Sequence, residues 1–356
     1  MTSGINTREM IMEILLQIDE EGEHSHIAIR NALSKYQFLP KQERAFITRV
    51  CEGTLEYRIL IDYIIDSFSK IPVDKMKPPI REILRSAVYQ LKFMDSVPDS
   101  AVCNEAVKLA AKRGFTGLKG FVNGVLRNIT RNKENITYPD RNKDIEQYLS
   151  VKYSMPLWIV KMWHSQLGID KTEEILAGFK QEKKTYVRCN TAKAPVEEIK
   201  KILSQENVSV ADVEGIPYAL EIKDYDYIAG LNSFRDGLYQ IQDISSMTAG
   251  YMTGFKAGDT VIDVCAAPGG KSINAAISVG ADGKVYSRDV SDYKAGLIEE
   301  NVSRLGLNNI EVQVKDALVM DESMREKADV VIADLPCSGL GVMGRKPDIR
   351  YNITED

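Results

Sequence analysis

From Gly258 onward, short apolar runs alternate with helical periodicities, and that alternation leaves little freedom of fold. Thr260-Val261-Ile262-Asp263-Val264 reads as a buried strand and Lys284-Val285-Tyr286-Ser287 as a second. Ile310–Val314 reads as a third and Asp329-Val330-Val331-Ile332-Ala333 as a fourth. A glycine-rich stretch opening a helix separates the first two, and residues 292–305 are helical in pattern. Strands alternating with helices pair in parallel, so this region predicts a doubly wound sheet.

The upstream chain follows other periods. Roughly the first 130 residues carry helical stripes. One is Ile61, Ile64, Ile65 and Phe68; a second is Ile80, Ile83, Leu84, Ala87, Val88 and Leu91; a third is Leu118, Phe121, Val122, Val125, Leu126 and Ile129. Pro72, Pro78-Pro79 and Pro98 fall between stripes, where they end helices cheaply. The pattern is that of an all-α bundle. Residues 130–142 are polar and aperiodic and read as a linker, and 145–181 are helical again. Thr185-Tyr186-Val187-Arg188-Cys189-Asn190 alternates as a strand, 195–204 read as a helix, and 208–213 and 219–222 as further strands. This middle stretch predicts a small α+β unit.

Composition narrows the class. Hydrophobic residues are 44% and charged residues 27%, which excludes collagen-like and largely disordered chains. A net charge of −5 excludes a globally basic nucleic-acid binder but leaves room for a basic patch. No window approaches the roughly 20 apolar residues of a membrane span. The start, Met1 to Glu23, spaces its apolar residues along one helix face and soon turns acidic, unlike a signal peptide. Cys51, Cys103, Cys189, Cys265 and Cys337 are scattered and odd in number. They fit a reducing, cytoplasmic compartment without a disulfide framework or a metal site.

The chemistry concentrates at strand ends. Asp263-Val264-Cys265-Ala266-Ala267-Pro268-Gly269-Gly270-Lys271 leaves the first strand and opens a helix, with small residues that admit a ligand to the backbone. Asp289 ends the second strand, roughly 20 residues past the first glycine, where a carboxylate meets ribose hydroxyls. Asp316 follows the third strand and Asp334 the fourth. Four acids along one carboxyl edge suit a ligand rich in donors and poor in negative charge. S-adenosylmethionine fits, and a dinucleotide's pyrophosphate does not. A phosphate-binding loop would need glycine at position 265, which is cysteine. Asp334-Leu335-Pro336-Cys337-Ser338-Gly339 places a thiol beside the same edge. Thiol addition at C6 of a pyrimidine makes C5 nucleophilic, whereas methylation of an exocyclic amine needs no such step. No histidine follows His164, so a histidine-dependent device in this sheet is excluded. Enzymes that methylate exocyclic amines tend to carry an Asn/Asp-Pro-Pro-aromatic string where this chain has Asp334-Leu335-Pro336-Cys337.

Together these strings resemble the ribosomal RNA cytosine-C5 methyltransferase family called RsmB, Sun or Fmu, over nearly the whole chain. Phe121-Val122-Asn123-Gly124-Val125-Leu126-Arg127 resembles the closing helix of a NusB-like RNA-binding domain. Tyr186-Val187-Arg188-Cys189-Asn190-Thr191 resembles the start of a small RNA-recognition-like subdomain, and Gln242-Asp243-Ile244-Ser245-Ser246 the entry to the methyltransferase core. The resemblance implies a NusB-like helical domain over 1–135, an α+β RNA-recognition-like subdomain over 145–240 and a Rossmann-like class I methyltransferase sheet over 241–356. It implies that Cys265, Ala266, Ala267, Pro268, Gly269, Gly270 and Lys271 line an S-adenosylmethionine pocket, with Lys271 pairing a nearby carboxylate. Asp289 holds the ribose, Asp316 the adenine side, and Asp334 lies between cofactor and cytosine. Cys337 is linked to breakdown of the covalent adduct. The family's attacking thiol sits in a Thr-Cys motif on a following strand, which these 356 residues do not contain. Only about 100 residues remain for the sheet after Gly258, so the chain is expected to be C-terminally truncated and its sheet incomplete. Alternatively Cys337 is itself the nucleophile, as the Pro-Cys cysteine is in DNA cytosine methyltransferases.

The stretch 106–133 holds Lys108, Lys112, Arg113, Lys119, Arg127, Arg131 and Lys133 and no acid, a local basic face suited to phosphates. The leading expectation is a cytoplasmic enzyme making 5-methylcytosine in 16S ribosomal RNA, free or in a partly assembled small subunit. Its alternatives are an inactive RNA- and cofactor-binding fragment and an exocyclic-amine RNA methyltransferase.

Overall fold

The structure, a computed structural model, describes residues 6–36, 38–181 and 183–355. The chain divides into two compact units, Met1–Glu182 together with Ser338–Asp356, and Lys183–Cys337.

The first unit is helical. Its elements are α1 (Thr7–Glu20), α2 (Ser25–Lys35), α3 (Lys41–Glu56), α4 (Arg58–Phe68), α5 (Pro78–Phe93), α6 (Asp99–Lys112), α7 (Lys119–Asn132), α8 (Ile145–Tyr153), α9 (Leu157–Leu167) and α10 (Ile169–Gly178). The apolar stripes meet in one core, where Ile47, Ile61, Ile64, Ile65, Leu84, Val88, Val122 and Leu126 are fully buried. Asn6 caps α1 by accepting from the backbone N–H groups of Arg8 and Glu9. Pro78 and Pro79 occupy the first turn of α5, where a missing N–H costs nothing. A buried charge network ties three helices. Asp19 of α1 lies 2.6 Å from Arg58 and Arg81 and 3.2 Å from Arg85. Arg85 in turn reaches Glu82 at 2.6 Å and Asp62 at 2.7 Å.

One expectation changes here: the polar stretch 130–142 is not a free linker. Helix α7 runs on to Asn132, Ile136 and Tyr138 pack against the helical core, and the Thr137 carbonyl accepts from Tyr63 at 2.8 Å. Two apolar residues in a polar run suffice to dock it. Helices α8 to α10 build a satellite core with Leu340, Met343 and Ile349, within the first unit.

The second unit holds two sheets. The first combines β1 (Thr185–Cys189), β2 (Ser209–Asp212), β3 (Ala219–Lys223) and β4 (Tyr239–Ile241) in the order β2-β3-β1-β4, antiparallel throughout. Helices α11 (Val196–Gln205) and α12 (Asn232–Arg235) lie in the same segment. Val187, Ile199, Leu203, Leu220 and Tyr239 form its core. Helix α13 (Ile244–Thr253), capped by Asp243, leads onward.

The second sheet is parallel, in the order β7-β6-β5-β8, from β5 (Thr260–Asp263), β6 (Lys284–Asp289), β7 (Ile310–Val314) and β8 (Val330–Ile332). Helices α14 (Gly270–Val279) and α15 (Asp292–Leu305) are its crossovers. The alternating pattern gave all four strands in place. From β5 the chain steps through β6 and β7 on one side, then returns to lay β8 on the other. That reversal makes a topological switch point, and ligands of such sheets bind at the carboxyl ends beside it.

Candidate active site

The loop 264–269 leaves β5 at the switch point and is held from three directions. Val264 N–H donates to the Ile332 carbonyl of β8 at 3.1 Å, and Ala266 N–H to the Arg288 carbonyl of β6 at 2.8 Å. Asn301 of α15 donates to the Pro268 carbonyl at 3.0 Å. Gly269 has φ +98°, and a Cβ there would stand 3.2 Å from Ile298 Cγ2, so both its backbone angle and its surroundings require glycine. The Ala267–Pro268 peptide is cis.

The four strand-end acids separate into two pairs. Asp263 is 1% exposed; one oxygen accepts from Ser272 Oγ at 2.7 Å, and Ser272 Oγ lies 2.7 Å from Ser287 Oγ. Its other oxygen, Oδ1, has no hydrogen-bond partner. Burial pushes this carboxyl up to about 6, against the hydrogen bond from Ser272, the nearby Cys265 backbone N–H and the charge of Lys271. Asp289 is also buried, but it accepts from Ala267 N–H at 3.0 Å and Val290 N–H at 2.8 Å and lies 3.1 Å from Lys294 Nζ. Burial raises its carboxyl, and those donors outweigh burial and hold it below the usual range. Asp316 and Asp334 are exposed. Asp316 accepts from Leu318 N–H at 2.9 Å, and Asp334, 60% exposed, pairs with Lys271 Nζ at 2.5 Å. The expected pairing of Lys271 with a carboxylate is thus present, and it joins the first turn of α14 to the segment after β8.

Cys337 is exposed, and Cys265 is half-buried in the loop, its thiol pushed up by burial and by the charge of Asp289. Cys51, Cys103 and Cys189 are buried. Among the described residues, no group of three His, Cys, Asp or Glu is arranged to hold a metal ion.

The comparisons with known proteins agree segment by segment. The NusB family pattern matches residues 5–131, a ferredoxin-like domain of RsmF/B-like methyltransferases matches 155–226, and 16S rRNA methyltransferase RsmB/F matches 252–356. The probable ribosomal RNA small subunit methyltransferase B of Bacillus subtilis is 34% identical over 352 residues, 99% of this chain and 78% of the relative. The Synechocystis protein of the same description is 30% identical, over 98% of this chain and 78% of the relative. The chain belongs to the ribosomal RNA small subunit methyltransferase B family. The crystal structure of PH0851 superposes with a TM-score of 0.78 at 27% identity, covering 99% of this chain and 80% of that one. The expected fold class stands, from NusB-like bundle to ferredoxin-like subdomain to parallel methyltransferase sheet. No helix among the described residues is long and apolar enough to cross a membrane.

Within this family member, sequence reasoning missed the supports of the loop. Arg188 of β1 is fully buried, and its Nη1 donates to Gln242 Oε1 at 2.7 Å and to the Gly270 carbonyl at 2.5 Å. Its Nε and Nη2 have no partner, and burial lowers the guanidinium to about 9. The signal available was an arginine in a strand position flanked by buried residues. Ser272, Ser287, Lys294 and Asn301 carried no such signal, because their partners are set by the crossovers.

The basic stretch also differs from its linear reading. Acids from elsewhere neutralise four of its cations: Lys112 pairs with Glu9 at 2.5 Å, Arg113 with Glu13 at 3.0 Å, Lys108 with Glu105 at 2.8 Å and Lys133 with Asp99 at 3.0 Å. Lys119, Arg127 and Arg131 are exposed and form no ion pair among the described residues. Between α6 and α7 runs a groove of about 580 Å³, lined among others by Asn104, Lys108, Lys119, Gly120, Asn123 and Arg127.

Proposed function

We propose that the protein acts on C5 of a cytosine in 16S ribosomal RNA, in the cytoplasm, with S-adenosylmethionine as methyl donor. The observation that supports this best is the Lys271–Asp334 pair across the switch point, with exposed Cys337 three residues beyond Asp334. The residues of this edge suit the donor. Gly269 and Gly270 present no side chain, Asp263 keeps one buried oxygen unpartnered, and Asp289 and Asp334 offer acceptors. Such groups favour an ammonium and ribose hydroxyls and oppose a pyrophosphate. Cys265 to Lys271 would line this site, with Asp289 at the ribose, Asp316 on the adenine side and Asp334 toward the cytosine. When bound, S-adenosylmethionine supplies a methyl group activated by its sulfonium.

The chain's own residues then have distinct tasks. Lys271 holds the Asp334 carboxylate in place beside the acceptor base. In the C5 reaction a thiol adds to C6, C5 takes the methyl group, the C5 proton leaves and the carbon–sulfur bond breaks. We assign Cys337 to the breakdown of that adduct. None of the five cysteines follows a threonine, the pairing expected for the attacking thiol. Phosphates would lie along the groove between α6 and α7, at Lys119, Arg127 and Arg131, with Lys108, Lys112 and Arg113 held back by their acids. The target cytosine must be unpaired or flipped to reach the edge.

The test incubates the chain with methyl-labelled donor and 16S ribosomal RNA, then digests to nucleosides. Any label transferred is expected in 5-methylcytidine. Label in N4-methylcytidine or N6-methyladenosine would overturn the C5 reading.

A further inference from the structure

The chain passes from the second unit into the first between Cys337 and Ser338, immediately after the proposed reactive thiol. The segment that follows is gripped by the helical unit at points remote in sequence. Met343 is fully buried with Leu149, Ile159 and Leu176, and a Cβ on Gly344 would stand 3.2 Å from Phe179. Beyond it lies a single helical turn, α16 (Ile349–Asn352).

The polar residues around α16 supply side-chain partners to the ends of two helices. Helix α2 has no side-chain cap from its N-cap residue His24. Asp348, 2% exposed, supplies one: it accepts from Ser25 N–H at 3.2 Å and from the Ser25 hydroxyl, putting a carboxylate at the positive end of the helix. Helix α3 has no basic residue in its last turn. Arg350, equally buried, donates to the Glu56 carbonyl at 3.0 Å, and Tyr351 Oη donates to the Leu55 carbonyl at 2.7 Å, so the last two carbonyls of the helix gain side-chain donors. Arg350 also donates at 3.1 Å to the Ser154 carbonyl, where the backbone is left-handed at φ 52°. The Arg58 guanidinium lies 4.7 Å over the Tyr351 ring.

We propose that Asp348, Arg350 and Tyr351 are positioning residues, an anchor that fixes to the NusB-like unit the downstream end of the loop carrying Cys337. An acid at a helix start and a base at a helix end accept one orientation of the segment, so the anchor sets direction as well as place. The proposal rests on the reading of Cys337 as a residue of the reaction. The experiment below probes the anchor itself, and failure of the cytosine-C5 reading would appear in the nucleoside analysis instead.

The test is hydrogen exchange by mass spectrometry on the full chain, carrying Arg350→Ala, Arg350→Lys or the milder Tyr351→Phe. The local amide bonds of Val342, Arg345 and Lys346 report the segment's order. Arg350→Ala should speed exchange across 335–346 by roughly tenfold, Tyr351→Phe by roughly fivefold, and Arg350→Lys should restore part of the protection. Affinity for S-adenosylmethionine, read by calorimetry, should stay within about twofold. Faster exchange confined to the last turn of α3, with 335–346 unaltered, would reduce these residues to caps and overturn the proposal. A tenfold loss of donor affinity would do so as well, by placing the effect in the cofactor cradle.

Discussion

The charge network of the helical unit and the acids of the sheet edge are built from the same groups and have opposite endings. In the helical unit Asp19, Asp62 and Glu82 all meet arginines, and Arg85 reaches three carboxylates. At the sheet edge Asp263 is just as buried but keeps an oxygen without a donor, and Asp334 stands exposed with one lysine. Each carboxylate of the first group meets an arginine, whereas those of the sheet edge keep acceptor capacity that a ligand can use. The basic stretch repeats the lesson, with Lys112 and Arg113 already paired and Lys119 and Arg127 not.

The strongest way to break this contrast is to remove Arg85. Arg85→Ala strands Glu82 and Asp62 and should cost about 3–5 kcal/mol of stability in denaturant melts. Donor affinity should be unchanged, because the network belongs to structure alone.

Asp263→Asn should act in the reverse sense. A carboxyl raised from 3.8 to about 6 binds its proton more tightly folded than unfolded. Its contribution therefore favours the fold below about pH 4 and is lost as pH rises through 6, leaving a cost of about 2–3 kcal/mol at pH 7. The asparagine variant should melt higher than the unaltered chain at pH 7, lose the advantage at pH 4, and bind donor more weakly. A variant that melts lower at both pH values would make Asp263 a structural group like Asp19.

A smaller effect is expected at Gly124, in the exposed face of α7, where an added Cβ meets nothing within 4 Å. Gly124→Ala should stabilise the chain by about 0.5–1 kcal/mol through helix propensity. If RNA lies against this face, filter binding should weaken while the melting temperature rises. The smallest and sharpest comparison is between cations. Lys119→Ala and Arg127→Ala should each lower the slope of RNA affinity against salt by about one, and Lys112→Ala by less, because Glu9 already engages it.

Much of this was legible in the chain. The apolar runs from Val261 to Ile332 gave the strands because each is local, and the acids at their ends followed from the strand ends themselves. What stayed hidden depends on partners far away. Glu9 and Glu13 neutralise cations about 100 positions later, so the run 106–133 looked more basic than it is in space. Arg188 reaches Gly270 across 82 positions, and its strand position between buried residues does not give that partner. Residues 343–351 have no extended periodicity, and their roles come from the satellite core and the helix ends they meet.

That last arrangement has a consequence for how the protein is made. Asp348 caps a helix that begins 323 residues before it, and Arg350 closes one that ends 294 residues before it. At roughly 5–20 residues per second, those caps leave the ribosome some 15–65 s after the helices they complete. The NusB-like bundle forms ahead of those contacts and gains them only when residues 348–351 arrive.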